Sequence, residues 1–234
     1  MSKTVGIIGA GIAGLALSIR LANQGFAVTV FEKNSYPGGK LSELNTNGFR
    51  FDKGPSLFTM PSLIEELTNL QESSHPFEYQ KLDVITNYFY SDGTQLKASA
   101  NIEDFAEEVH LKLNEKKETV LKYIKRNAFY FKTTEDLFLK QSLHQIKNFI
   151  NFKTLKGILL SPFLGLFCTM NEKNSRTFSN PKTVQLFNRF ATYNGSNPYK
   201  APALMNMISH LEFNLGAYLP KKGMHQITTH LVKL

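Results

Sequence analysis

The stretch from Lys3 to Glu32 constrains the fold more than any other, because a strand, a helix and a second strand follow one another there with glycines at the first turn. Apolar residues run without alternation from Val5 to Ile8, the pattern of a parallel strand buried on both faces, and the turn follows at once. Gly9 suits a tight turn, Gly11 lets the backbone approach a pyrophosphate, and Gly14 lets the helix pack closely on the strand. Free backbone N–H groups then stand at a helix N-terminus, where phosphate charge is stabilised. Ile12, Leu15, Ala16, Ile19 and Ala22 recur at helical spacing, and Gly25 takes the stop position. The second strand, Phe26 to Phe31, ends at Glu32, 18 residues beyond Gly14 and at the distance where an acid meets a ribose hydroxyl. A glycine triplet alone is a weak signal. With both strands, the helix and the terminal acid in register, the unit reads as a dinucleotide cradle.

The 234 residues suffice for one large domain or two small ones. The single cysteine, Cys168, excludes an internal disulfide and a cysteine metal cluster, and its apolar neighbours suggest an inert buried thiol in a reducing compartment. The six histidines show no ligand spacing, so no metal site is expected. The N-terminal apolar stretch is a glycine-broken strand rather than a signal peptide, and no apolar run approaches the ~18 residues that span a bilayer. The net charge of +8 is concentrated between Lys112 and Lys156, with 11 Lys or Arg against 4 Asp or Glu. Such a run is often only a solvated helical face. Its aromatic interleaving beside an apolar segment favours an anionic membrane surface among functional readings, and no motif supports nucleic acid.

Past Glu32, Pro37, Gly38 and Gly39 make a turn, with Lys40 placed to reach phosphate charge. Asn47-Gly48 and Lys53-Gly54 bracket a short strand ahead of Pro55 and Ser56; hairpin and surface turn are the purely structural alternative. Pro61 opens a helix to about Leu70 with Leu63, Ile64 and Leu67 on its buried side. Strands follow, with a hairpin turn at Asp92-Gly93; Asn101 then caps a helix at Ile102, and the chain is mainly helical to about Leu166. Around the turn Asn194–Pro198 lie Arg189, Tyr193 and Tyr199, which aromatic packing alone could explain. A second helical run is expected over Pro202–Leu211. Gly223 opens a last helix with Met224, Ile227, Leu231 and Leu234 on one stripe. The chain stops on that stripe, and two strands are little sheet for a dinucleotide, so it is expected to be the N-terminal half of a longer protein.

Five motifs together resemble the bacterial-type phytoene desaturase family of carotenoid dehydrogenases, within the FAD-dependent amine oxidase-like flavoproteins. They are GAGIAG (Gly9–Gly14), Glu32, PGGKLS (Pro37–Ser42), FDKGPS (Phe51–Ser56) and RFATYNGSNPYKAPAL (Arg189–Leu204), and the resemblance covers the whole chain. It implies an α/β fold: a Rossmann-type FAD-binding βαβ unit with an attached α+β substrate domain. The implied segments are 1–70 for FAD binding, 71–222 for substrate and membrane contact, and 223–234 for the start of a returning FAD-domain helix. FAD would be held by Gly9, Gly11, Ile12, Ala13 and Gly14 at the pyrophosphate, Glu32 and Lys33 at the adenosine end, Gly38, Gly39 and Lys40 beside the phosphates, and Gly54, Pro55 and Ser56 towards the flavin. Family members commonly carry Gly-Gly-Met before the last helix, where this chain has Lys222-Gly223-Met224. They also run to roughly twice this length.

The implied reaction is flavin-dependent desaturation of a lipophilic carotenoid or polyisoprenoid, with no side chain assigned as catalytic because the flavin carries the chemistry. Arg189 and Tyr199 are candidate substrate-side residues. The partners implied are the carotenoid and a membrane surface, the protein being cytoplasmic and peripherally attached; the oligomeric state is left open. The alternatives are a hydroxycarotenoid desaturase, a related amine or porphyrinogen oxidase, and an inactive nucleotide-binding module.

Overall fold

The computed structural model describes residues 3–71, 76–139 and 165–234. They fall into two compact units, Met1–Leu82 with Ala217–Leu234, and Asp83–Gly216.

In the first unit, β1 (Thr4–Ile8), α1 (Ile12–Asn23) and β2 (Ala27–Phe31) form the βαβ unit. The strands pair in parallel from Thr4 opposite Ala27 to Ile8 opposite Phe31. The sequence expectation of burial on both faces is corrected here: Ile7 is buried, whereas Ile8 is 94% exposed and Phe31 59%. Among the described residues β1 and β2 form a two-stranded sheet, and α1 packs against it through Leu15 and Ile19. Next come the hairpin β3 (Ser42–Thr46) and β4 (Phe49–Lys53), turned at Asn47-Gly48, and helix α2 (Ser62–Leu70). Its buried residues are Ile64, Leu67 and Thr68, one helical face at i, i+3 and i+4. Leu63 falls off that face and is exposed, contrary to expectation.

Strand β5 (Tyr79–Lys81) pairs antiparallel with β8 (Tyr218–Pro220), which leads into α7 (Gln226–Lys233). This pairing carries the first unit past residue 70 and brings the chain back to it ahead of Gly223. The core joins Leu15 and Ile19 of α1, Ile64 and Leu67 of α2, and Ile227 and Leu231 of α7. Burying each such side chain contributes about 1.5–3 kcal/mol. Phe58 closes one end, edge-on to Phe77 at 5.8 Å and to Tyr79 at 5.9 Å.

The second unit begins with the hairpin β6 (Val84–Phe89) and β7 (Gln95–Ser99), turned at Asp92-Gly93. Helix α3 (Ile102–Leu113) starts where the Asn101 side chain accepts the N–H groups of Glu103 and Asp104. Helices α4 (Lys117–Leu139), α5 (Met170–Thr177) and α6 (Pro181–Asn188) follow. Thr169 and Glu172 form a capping box on α5, and Asn180 caps α6. The chain then tightens into 3-10 helices at Arg189–Asn194 and Ala203–Ile208 and a π turn at Leu211–Leu215, in place of one regular run over Pro202–Leu211. Phe105, Tyr123, Phe187 and Phe190 are buried and pack ring on ring.

The middle of the basic stretch, residues 140–164, lies outside the described residues. Cys168 is half-exposed rather than buried, since it sits in the loop before α5, where its carbonyl accepts the N–H of Ala203. Among the described residues no helix is long and apolar enough to cross a membrane, and no group of His, Cys, Asp and Glu could hold a metal ion.

Candidate functional site

The turn after β1 is clamped to the end of β2 by a hydrogen bond from Gly9 N to Phe31 O at 2.7 Å. Gly14 presses on that turn so closely that a Cβ on it would lie 2.0 Å from Gly9 O. Gly11 precedes α1 in extended backbone with no side-chain cap, and a Cβ there would meet nothing within 4 Å. The first N–H groups of α1, at Ile12, Ala13 and Gly14, have no partner within the helix and stand at the positive end of its dipole.

A second glycine turn closes on the first. Gly38 N donates to Ala10 O at 2.8 Å, Gly38 bridges to Gly11, and a Cβ on Gly39 would stand 3.5 Å from Gly11 Cα. Gly54 joins them, its missing Cβ 2.1 Å from the Lys40 carbonyl. Two stretches far apart in sequence thus meet at one helix N-terminus, and the third packs against the second. The side chains of Lys33, Lys40, Pro55 and Ser56 are exposed around them.

Glu32 stands at the end of β2, beside the first glycine turn. Its Oε2 accepts Ala10 N and its Oε1 accepts both Asn34 N and Asn34 Nδ2, each at 2.9 Å. The Asn34 backbone N–H, then that of Ala10, holds its pKa below the usual carboxylate value. The Lys33 backbone N–H also faces this carboxylate, which is thus fixed by donors from both the glycine-turn and the β2 ends. A helix N-terminus beside glycine-only contacts, with an ionised carboxylate held at the end of β2, fits a dinucleotide.

Sequence reading missed the support beneath this cradle. A Cβ on Gly38 would meet Thr228 Oγ1 of α7 at 2.9 Å, and Thr228 Oγ1 donates to Leu41 O at 3.3 Å. Arg50 donates to Asp52 at 2.7 Å, and its guanidinium fills the space where a side chain at position 223 would stand, 2.2 Å from that Cβ position. Asp52 in turn accepts Met224 N at 3.0 Å, fixing the turn that leads into α7. Burial works against the charge on Asp52, yet the Arg50 and Met224 hydrogen bonds hold its pKa below the usual value. The one available sequence signal was alternation, which puts Arg50 and Asp52 on the same face of β4.

Arg189 and Tyr199 belong to the second unit, where both line one open groove of about 760 Å³ between α5, α6 and the loop at Pro198. Tyr199 is 66% exposed. Arg189 is anchored from behind: Nη2 donates to Glu212 Oε2 at 2.6 Å and Nε to the Tyr88 hydroxyl at 3.0 Å. Glu212 is 1% exposed and also accepts the Tyr193 hydroxyl. Burial opposes the charge on Arg189, but Tyr88 and Glu212 raise its pKa further. Glu212 and Tyr88 were not anticipated from sequence.

The fold and the cradle define an α/β protein built on a Rossmann-like dinucleotide-binding unit, and a family model described as an NAD(P)-binding Rossmann-like domain matches residues 7–70. The chain is 47% identical over 235 residues to a 1-hydroxycarotenoid 3,4-desaturase of a Flavobacterium species, covering 100% of this chain and 48% of the relative. It is 32% identical to a 4,4'-diapolycopene oxygenase of Methylomonas, covering 100% and 47%, and 30% identical to a carotenoid 3,4-desaturase of Haloarcula japonica, covering 99% and 47%. The chain spans about half the length of the curated relatives it matches. Among solved structures, putrescine oxidase superposes with a TM-score of 0.60 at 15% identity, covering 100% of this chain and 49% of that one. Cyclohexylamine oxidase from Brevibacterium oxydans gives 0.58 at 18%, covering 99% and 49%. These two show the fold. The chain is a homologue of carotenoid desaturases and oxygenases, matched to their N-terminal half, in agreement with the resemblance its motifs carry.

Proposed function

We propose that the chain is the FAD-cradling and substrate-side part of a flavoenzyme that desaturates carotenoids, hydroxylated carotenoids being the favoured class. The observation that carries this reading is the closure of Gly38–Gly39 on the Gly9–Gly14 turn at the N-terminus of α1, with Gly54 packed in turn against the Lys40 carbonyl. Gly38–Gly39 and Gly54 support FAD over a nicotinamide cofactor, because they extend the cradle past what a single glycine turn provides. The relative with 47% identity supports the hydroxylated class.

In this reading the N–H groups of Gly11, Ile12, Ala13 and Gly14 bind the pyrophosphate, with the Lys40 ammonium adding positive charge. Glu32, held ionised by its backbone donors, accepts a ribose hydroxyl. Gly54, Pro55 and Ser56 lie on the flavin side, and Arg189 and Tyr199 on the substrate side. Bound FAD would supply the hydride acceptor that forming a C=C bond between adjacent polyene carbons requires. Because such substrates reside in bilayers, the basic, aromatic stretch from Lys112 to Met170 is proposed as a peripheral contact with the cytoplasmic membrane face.

Titrating the purified chain with FAD tests the cofactor. Saturable quenching of flavin fluorescence, not displaced by NAD, is expected; a colourless chain that takes up no flavin overturns the reading and leaves an inert module. Substrate class is tested by expression in hosts that accumulate hydroxylated or plain acyclic carotenoids. Products absorbing at longer wavelength are expected with the hydroxylated pool. Flotation with anionic vesicles tests the membrane contact, and no flotation with either anionic or neutral lipid removes it.

A further inference from the structure

We infer that Arg126, with Lys122 one turn before it on α4, binds the phosphate of an anionic phospholipid headgroup. The inference rests on the membrane reading above and names the group in the basic stretch that meets the lipid. That stretch is not uniform. Lys117, at the start of α4, is matched by Glu103 at 3.3 Å and Glu107 at 3.4 Å. Elsewhere Arg20, Arg50 and Arg189 each bond a carboxylate, at 2.7, 2.7 and 2.6 Å. Lys122, Lys125 and Arg126 make no ion pair among the described residues.

The Arg126 guanidinium is nonetheless held in place. Its Cζ lies 5.2 Å from the centre of the Tyr123 ring, and that ring is 1% exposed and fixed by its hydroxyl's bond to Asn174. The side chain therefore runs back along the helix towards the turn of Lys122, the direction that helical rotamers favour. Nε is buried without a hydrogen bond, whereas Nη1 and Nη2 are neither bonded to a described residue nor buried, so their edge of the fork is open to solvent. Parallel N–H donors on a planar fork match two oxygens of a phosphate. Lys122 and Arg126 are four residues apart, a spacing at which like charges destabilise a helix, and Glu118, a turn earlier, makes no ion pair with Lys122. An anion seated between the two cations removes that repulsion. Lys122 and Lys125 are exposed beside the fork, and Phe129, the next turn on, is 55% exposed. Cations beside an outward-facing ring suit the boundary between headgroups and acyl chains, whereas a free phosphate gains nothing from the ring.

The test is co-sedimentation of the full chain with vesicles of equal parts phosphatidylglycerol and phosphatidylcholine at about 0.1 M salt, which screens attraction beyond about 10 Å. R126K keeps the charge but removes the fork, and is expected to bind about tenfold more weakly than the parent. K112Q removes an exposed charge of the same stretch on α3 and is expected to cost no more than about fivefold, the share of one surface cation. K122Q is expected to lose more than K112Q while melting no lower than the parent, since it relieves the like-charge pair. R126K binding as tightly as the parent overturns the inference and leaves the membrane reading standing; if R126K does not fold, K122Q binding no more weakly than K112Q does the same. A parent chain that sediments neither with these vesicles nor with pure phosphatidylcholine removes both. Inorganic phosphate at about 1 mM is expected to leave vesicle binding unchanged, and displacement by it overturns the lipid assignment in favour of a free phosphate.

Discussion

Gly11 and Gly14 are three residues apart in one motif, yet the structure gives them different duties. At Gly14 an added methyl would collide with the Gly9 carbonyl at 2.0 Å, and backbone cannot swing aside. G14A is expected to lose about 1–3 kcal/mol of stability together with flavin binding. G11A meets nothing and needs no unusual backbone, so it is expected to melt within about 1 kcal/mol of the parent while its methyl occupies the phosphate approach and weakens flavin binding at least tenfold. Thermal melts and FAD titration of both variants check this; parallel losses in G11A would refute the division. Gly223 is a third case, with φ at +85° and the Arg50 guanidinium in its side-chain space. G223A is expected to be destabilised by about 1–3 kcal/mol, and G223A/R50A to recover only the steric part because the backbone strain stays. Equal melting of the single and double variants would show that Arg50 simply moves away. The motif glycines were legible in sequence. The duty of Gly223 was not, because it is set by a residue more than a hundred positions away.

At the scale of elements, the β6–β7 hairpin and helix α6 are joined by Lys182. Its ammonium bonds Asp92 and, at 2.8 Å, Thr94 Oγ1, and its ammonium stands 5.6 Å from the Tyr90 ring centre. The Lys182 hydrogen bond, aided by Thr94, lowers the Asp92 pKa from 3.8 to about 2. A carboxylate with a depressed folded pKa contributes stability above its unfolded value and loses it as pH falls through the folded one. The junction therefore contributes fully above pH 3.8 and is lost as pH falls towards 2. D92N should flatten this part of the acid limb when unfolding midpoints are compared across pH; superimposable limbs would show that the pair adds nothing measurable. The elements themselves were largely readable: Asn101 and its helix, the Asp92-Gly93 hairpin and the cradle helix each announce themselves by local capping or turn chemistry. The side of α2 turned inward was misread at Leu63, since an eight- or nine-residue apolar pattern fits two neighbouring stripes almost equally well.

At the scale of the whole molecule, Asp83–Gly216 is inserted between strands β5 and β8 of the first unit and carries its own polar interior. The Tyr123 hydroxyl donates to Asn174 Oδ1 at 2.8 Å, and Asn174 Nδ2 donates to Asn188 at 2.8 Å and to Asn206 at 3.2 Å. Asn174 is fully buried, so N174A would take a hydrogen bond from three partners at once. It is expected to cost more than about 2 kcal/mol, well beyond a lost N-cap, as measured by denaturant midpoints. A loss below about 1 kcal/mol would show that the partners re-pair without it. Asparagine has no periodic signature of burial, which is why this network and the Arg189–Glu212 pair were invisible to pattern.

The chain by itself determined its βαβ cradle, its caps and its hairpins, because each depends on contacts within a turn or two and on backbone conformations that few residues tolerate. Tertiary structure alone decided that Ile8 and Phe31 stay exposed, that Arg50 fills the place of a side chain at Gly223, and that Arg189 has its charge matched by Glu212. Periodicity specifies which face of an element is apolar; which partner meets that face is settled only when distant segments close on one another.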